Sequence, residues 1–155
     1  MKDLQPTCRL AVIQAAPVLF DKRKGLEKAL ALIERAVREY APEVIVFPEL
    51  FIPGYPYGMS FGFTVGHREE DGRSDWTMYY ENSILVPGEE TARLAQAAKE
   101  AGAWVSIGVS ERDAVTATLY NSNLLFSPEG LIRPQVAAPV GWLPLPVYVD
   151  SPDKC

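Results

Sequence analysis

The chain has 155 residues, 48% hydrophobic and 23% charged, which excludes a disordered or low-complexity polypeptide and suits one domain with a sizeable core. A net charge of -5 and a pI near 4.9 give no electrostatic reason to expect nucleic acid or an anionic membrane as partner, and point to small molecules or other proteins. Two widely separated cysteines, Cys8 and Cys155, and a single histidine, His67, argue against a disulfide framework and against a metal site.

The longest apolar runs are short and broken by proline, and "MKDLQPTCRL" carries charges where a signal peptide needs an apolar stretch. A cytoplasmic protein without a membrane partner is expected. "RLAVIQAA", Arg9 to Ala16, reads as a short buried strand closed by Pro17. Asp21 then caps a helix whose apolar stripe is Leu26, Leu30, Ile33, Val37 and Tyr40, with Glu27, Lys28, Glu34, Arg35 and Arg38 outside it. Ala41-Pro42 stops that helix, and "EVIVF" is a second buried strand.

Past a glycine-rich loop, "DWTMYYENS" reads as a short helix whose Trp76, Tyr79 and Tyr80 are core rather than ligand cage. "VPGEETARLAQAAKEAG" has Pro87-Gly88 as a turn, acids in the first helical turn, Leu94, Ala97, Ala98 and Ala101 inward, and Gly102 as the stop. "AWVSIGVSE" follows as a strand. Strands alternating with helices in this way build βαβ units, so the fold class is α/β with partly parallel pairing. "TLYNSNLLFSPEGLI" reads as a hairpin that adds antiparallel strands, with Tyr120, Ser122, Leu124 and Phe126 on one face and Ser127 to Gly130 as a type I turn. Asn121 and Asn123 alternate with that face, and either satisfy backbone or line a site. Residues 133–155 hold five of the chain's 13 prolines, show no helical period and cannot form a central strand, so the organisation expected is a domain over residues 9–132 and a Pro-rich tail over 133–155.

Glu49 is the charge that this pattern does not explain. It stands at the carboxyl end of the "EVIVF" strand, where open α/β sheets place ligand sites. The stiff, apolar "FIPGYPYG" follows it. Such a wall desolvates a carboxylate and prepares a general base. A glutamate that caps a helix or pairs with an arginine fits the spacing as well. Tyr55 in the same segment either lines a substrate pocket near Glu49 or packs the loop.

"FPELFIPGYPYG" resembles the glutamate motif of the nitrilase superfamily of carbon-nitrogen hydrolases, and "PGYP" its nitrilase branch. "AVIQAAPVLFD", "YYENSILVPG", "VSIGVSERD" and "LYNSNLLFSPEG" follow in that family's order, so the resemblance covers Arg9 to Ile132. It implies an α-β-β-α sandwich, incomplete in this chain, and assembly into homo-oligomers. It implies a Glu-Lys-Cys triad acting on a small nitrile or amide with no cofactor and no metal. In that chemistry a cysteine thiolate attacks the nitrile carbon to give a thioimidate, and water then expels ammonia and releases a carboxylic acid. By motif match Glu49 is the base, and a lysine stabilises the tetrahedral intermediates.

Only the glutamate carries over. Where the family has a "His-Arg-Lys-Leu"-like segment this chain reads "IRPQVAAPV", and no lysine occurs between Lys99 and Lys154. The "Cys-Trp-Glu-Asn"-like elbow of the nucleophile has no counterpart. Cys155 lacks the following backbone that shapes such an elbow, and Cys8 precedes the first strand. Truncation with a shifted reading frame is the expected cause, since the codons of "PQVA" read one base later permit His-Lys-Leu. The chain is expected to be inactive alone. Two alternatives stand beside the nitrilase reading: an amidase or carbamoyl hydrolase of the same superfamily, and a non-catalytic homologue that binds a full-length partner.

Overall fold

A computed structural model describes residues 7–55, 57, 70–133 and 137–139. In chain order the elements are β1 (Leu10–Val12), α1 (Lys22–Tyr40), β2 (Val44–Val46), α2 (Glu70–Asn82), α3 (Glu89–Ala101), β3 (Trp104–Arg112), β4 (Leu119–Phe126), β5 (Ile132–Arg133) and β6 (Ala137–Pro139). They make one sheet in the order β1-β2-β3-β4-β5, with β6 also on β4. β1, β2 and β3 are parallel, while β4 turns back on β3 and β5 and β6 turn back on β4. The expected mixture of parallel and antiparallel strands is present. The sheet runs past Ile132, because β6 pairs Tyr120, Asn121 and Ser122 with Pro139, Ala138 and Ala137. Its proline lies on an outer strand, where the missing N–H does not interrupt a ladder from both sides.

The helix termini follow local chemistry. Asp21 accepts the Lys24 N–H at 2.9 Å and caps α1. Ala41 ends α1 at φ 42, and its N–H reaches the Val37 carbonyl. At the start of α3, Thr91 Oγ1 accepts the Gly88 N–H and donates to the Gly88 carbonyl, both at 2.8 Å. Gly102, at φ 59, closes α3 in the left-handed region, which glycine enters without Cβ strain. After β4, Gly130 at φ 79 donates its N–H to the Ser127 carbonyl at 2.9 Å, completing the expected turn.

α1 and α3 lie side by side on one face of the sheet. The core between them and the strands joins Leu26, Ala29, Ile33, Ala36, Leu94 and Ala98 with Ile45, Val105, Ile107, Val109, Leu124 and Phe126. The buried stripe of α1 is Leu26, Ala29, Ile33 and Ala36, displaced from the expected one. Leu30 and Val37 are only partly buried, beside the groove between α1 and α3, and Tyr40 is 67% exposed. The small side chains of Ala29 and Ala36 let the helix approach the sheet closely, so they face inward beside Leu26 and Ile33 in place of Leu30 and Val37. An exposed Arg93–Glu27 pair at 2.7 Å joins the two helices across their outer side.

Among the described residues no helix covers the opposite sheet face beside β1. Leu10 and Val12 on β1 are 59% and 69% exposed, and Val44, Val46, Trp104 and Leu125 are half-buried. Register puts Leu10, Val44 and Trp104 in one cross-strand row and Val12, Val46, Ser106 and Leu125 in the next. Of the described helices, none is long and apolar enough to cross a membrane.

Candidate functional site

After β2 the chain does not leave the sheet but continues along β3. Phe47 donates its N–H to the Ser106 carbonyl, Gly108 to that of Pro48, Phe51 to that of Gly108 and Ser110 to that of Ile52, at 2.8 to 3.3 Å. Farther along, Ile84 donates to the Ser110 carbonyl at 2.9 Å and Arg112 to that of Ile84 at 2.8 Å. Between Pro48 and Phe51 the segment bulges by two residues, Glu49 and Leu50. Leu50 takes φ 47, uncommon for a branched side chain. The bulge buries Leu50 and leaves Glu49 exposed.

Gly108 makes this path possible. A Cβ there would lie 2.5 Å from the Leu50 nitrogen and 2.6 Å from the Glu49 Cα, closer than such atoms can approach. A glycine inside a strand marks this kind of close backbone approach. The glycine within "SIGVSE" is thus the sequence signal of this approach.

The far side of the bulge is clamped. Phe20 donates its N–H to the Pro53 carbonyl at 3.0 Å, and the buried Tyr79 donates its hydroxyl to the Gly54 carbonyl at 3.2 Å. Burial raises the Tyr79 phenol above its ordinary value, with a hydrogen bond to Ser110 acting in the opposite direction. Ser83 Oγ lies 2.8 Å from Ser110 Oγ and 2.9 Å from the Tyr79 carbonyl, tying the end of α2 to β3. α2 thus contributes a buried aromatic anchor, as expected for Tyr79.

Glu49 has one side-chain partner among the described residues. Asn121 Nδ2 donates to its Oε1 at 2.5 Å from β4, 72 positions away in sequence. Asn123, two residues on, accepts the Ser106 hydroxyl at 3.0 Å instead. The pair of asparagines left open by the sequence thus divides into one that holds the carboxylate and one that holds a strand. Among the described residues the expected apolar wall does not enclose Glu49, because Phe51, Ile52 and Pro53 are buried beneath the bulge and Tyr55 is 52% exposed. Tyr55 packs its ring on Tyr57, 4.9 Å between centroids, and no hydrogen bond joins it to Glu49.

Cys8 is exposed. It precedes β1 at the amino-terminal ends of the parallel strands, whereas Glu49 follows β2 at their carboxyl ends, so the structure separates the two. His67, Lys154 and Cys155 lie outside the described residues. Among the described residues no cluster of His, Cys, Asp or Glu could hold a metal ion.

A mixed sheet with α1 and α3 on one face and a carboxylate on a bulge at the carboxyl end of a parallel strand defines an α/β protein with a polar group where such sheets place ligand sites. The match to the carbon-nitrogen hydrolase family spans residues 9–141, and the chain belongs to that family. It is similar to the aliphatic nitrilase of Sinorhizobium fredii, 49% identical over 123 residues, covering 79% of this chain and 39% of that protein. It is also similar to nitrilase 2 of Arabidopsis thaliana, 40% identical over 122 residues, with 79% and 35% of the two chains covered. The Saccharomyces cerevisiae Nit3 structure, from branch 10 of the nitrilase superfamily, shares the fold at a TM-score of 0.63 and 21% identity, with 84% of this chain and 43% of that one covered. The chain therefore spans under half the length of the relatives it matches. The fold is that of the nitrilase superfamily, an α-β-β-α sandwich of which one helix layer and one sheet are described here.

Proposed function

We propose that this chain supplies the general-base part of a nitrilase-type hydrolase that converts a small nitrile to a carboxylic acid and ammonia. Glu49 takes the proton of the attacking cysteine thiol and then activates the water that resolves the thioimidate. The observation that carries the reading is the seating of Glu49, exposed on a bulge at the carboxyl end of β2 and held by the Asn121 amide. Tyr55 lines the approach to it. The lysine and the cysteine that complete the triad are not among residues 9–132, so the 155-residue chain alone hydrolyses no nitrile. The same reading puts the complete enzyme in the cytoplasm as a homo-oligomer, without metal or cofactor. It extends the hydrolase portion past Ile132, since β6 pairs with β4 and the family match reaches residue 141.

The test joins residues 9–132 to the remaining carboxy-terminal part of the Sinorhizobium fredii nitrilase and measures ammonia release. Activity in the chimera, lost on Glu49→Gln and absent from the chain alone, supports the reading. Ammonia release by the pure 155-residue chain, or a fully active Glu49→Gln chimera, overturns it.

A second reading, a non-catalytic homologue that binds an intact partner, is favoured by the exposed Leu10 and Val12 on β1. Co-purification with a complete nitrilase and no activity in the chimera would select it. An amidase using the same triad differs only in substrate, and amide turnover exceeding nitrile turnover in the chimera would identify it.

A further inference from the structure

The Glu49 carboxylate is exposed and sits on a long side chain, and nothing in its own segment fixes its terminal torsion. A base must nevertheless present one oxygen at a defined place. We propose that Asn121 is the positioning residue that selects the reacting oxygen: its amide holds Oε1, leaving Oε2 as the oxygen that accepts the proton. The proposal rests on the reading of Glu49 as the base and goes beyond it by assigning a role to a second side chain.

Three observations carry it. Asn121 Nδ2 to Oε1 is the one hydrogen bond to this carboxylate among the described residues. Asn121 stands on an inner strand, paired with Ser110 on β3 and with Ala138 on β6, so its backbone is held from both sides. The orientation of its amide is also determined, because the carboxylate accepts only from the NH2 end and repels the carbonyl end. Asn123 shows the contrast. It lies on the same strand and the same face, yet its Oδ1 is engaged by Ser106 rather than by a charged group.

The chemistry of the pair predicts graded effects. Asn121→Leu keeps approximate volume and removes the donor. Asn121→Asp keeps shape and replaces the donor with a second carboxylate. Asn121→Gln keeps the donor but displaces it by one methylene. A hydrogen bond to a charged group contributes enough to change a rate about 10- to 100-fold when lost from the reacting geometry.

The first measurement needs no activity. In the 15N-labelled 155-residue chain, the side-chain amide signal of Asn121 is followed through the carboxylate pH range, beside Glu49→Gln and Glu111→Gln variants. The expected result is an Asn121 amide that moves with pH in the parent and in Glu111→Gln, and not in Glu49→Gln. An Asn121 signal indifferent to pH, or one unaltered by Glu49→Gln, overturns the proposal.

The second measurement uses the chimera and also decides the case of a chain that gives no dispersed spectrum alone. Asn121→Leu is expected to lower kcat about 10- to 100-fold with KM within about twofold, Asn121→Asp to lower it further, and Asn121→Gln to recover part of the loss. Parental kcat in Asn121→Leu, or a loss confined to KM, overturns it. The two failures are distinguishable. Loss of activity in Glu49→Gln with none in Asn121→Leu removes only the positioning role, whereas full activity in Glu49→Gln removes the base reading itself.

Discussion

Alternate residues of β3 meet different surroundings. Val105, Ile107 and Val109 have no exposed surface beneath α1 and α3, whereas Trp104 and Ser106, on the other side of the same strand, are only half-buried. The covered side is built from branched aliphatics and Phe126, in close contact with small residues of the helices. The uncovered side mixes Leu10, Val12 and Leu125 with Ser106, Asn121, Asn123 and the Glu49 bulge. Because side chains alternate across a sheet, one strand serves both purposes. Close packing is concentrated on one face, which leaves the other free to carry polar groups such as Glu49 and Asn121 that a packed core would exclude.

Substitutions on the two faces should therefore separate by size. The largest effect is expected from Phe126→Ala, which empties a fully buried site between β4 and the helices and should cost about 3 to 5 kcal/mol, measured by urea denaturation of the chain. A loss below about 1 kcal/mol would mean that the covered face is not the cohesive one. Gly108→Ala comes next and bears on both faces, because its Cβ collides with the Glu49–Leu50 backbone. It should cost about 1 to 3 kcal/mol and should lower chimera activity more than its stability loss accounts for. On the uncovered face, Val12→Thr should change the stability of the isolated chain by less than about 0.5 kcal/mol. The same change should weaken assembly with a partner that covers that face, read by co-purification.

The smallest expected effect is a response to acid. The Asp21 carboxyl is held below its ordinary 3.8 by the Lys24 N–H it accepts, and Asp113 below the same value by the N–H groups of Thr116 and Val115. Each group thus binds protons more weakly folded than unfolded. Its contribution is present above pH 3.8 and is lost as the pH falls below that value through the lowered folded one. Denaturation midpoints taken across this window should fall with pH, and less steeply in Asp21→Asn, which keeps the capping oxygen without the charge.

Local chemistry was readable in the sequence wherever it acts over a few residues. Asp21 as a cap, Gly102 as a stop and the Ser127 to Gly130 turn each depend on neighbours within one turn of chain. The carboxyl-end position of Glu49 was readable because β2 is short and wholly apolar. The inward face of α1 was misjudged because hydrophobicity ranks Leu30 and Tyr40 above Ala29 and Ala36, while close packing on a sheet favours the small residues. The Asn121 contact was out of reach for another reason. It spans 72 positions and depends on the β3–β4 register, which no local pattern states. Glu49 itself is exposed, since Phe51, Ile52 and Pro53 after it turn inward beneath the bulge.

β3 receives β2, the Glu49 bulge, Ile52 and Ile84 in succession along a single edge. That edge acts as a common ruler: a slip of any one segment would displace those laid down after it. In hydrogen-exchange terms, the amides of Gly108, Ser110 and Arg112, which donate in turn to Pro48, Ile52 and Ile84, report on three connections of differing sequence separation within one strand. Their exchange rates would reveal whether the Glu49 bulge is seated as part of the sheet's cooperative unit or opens independently of it.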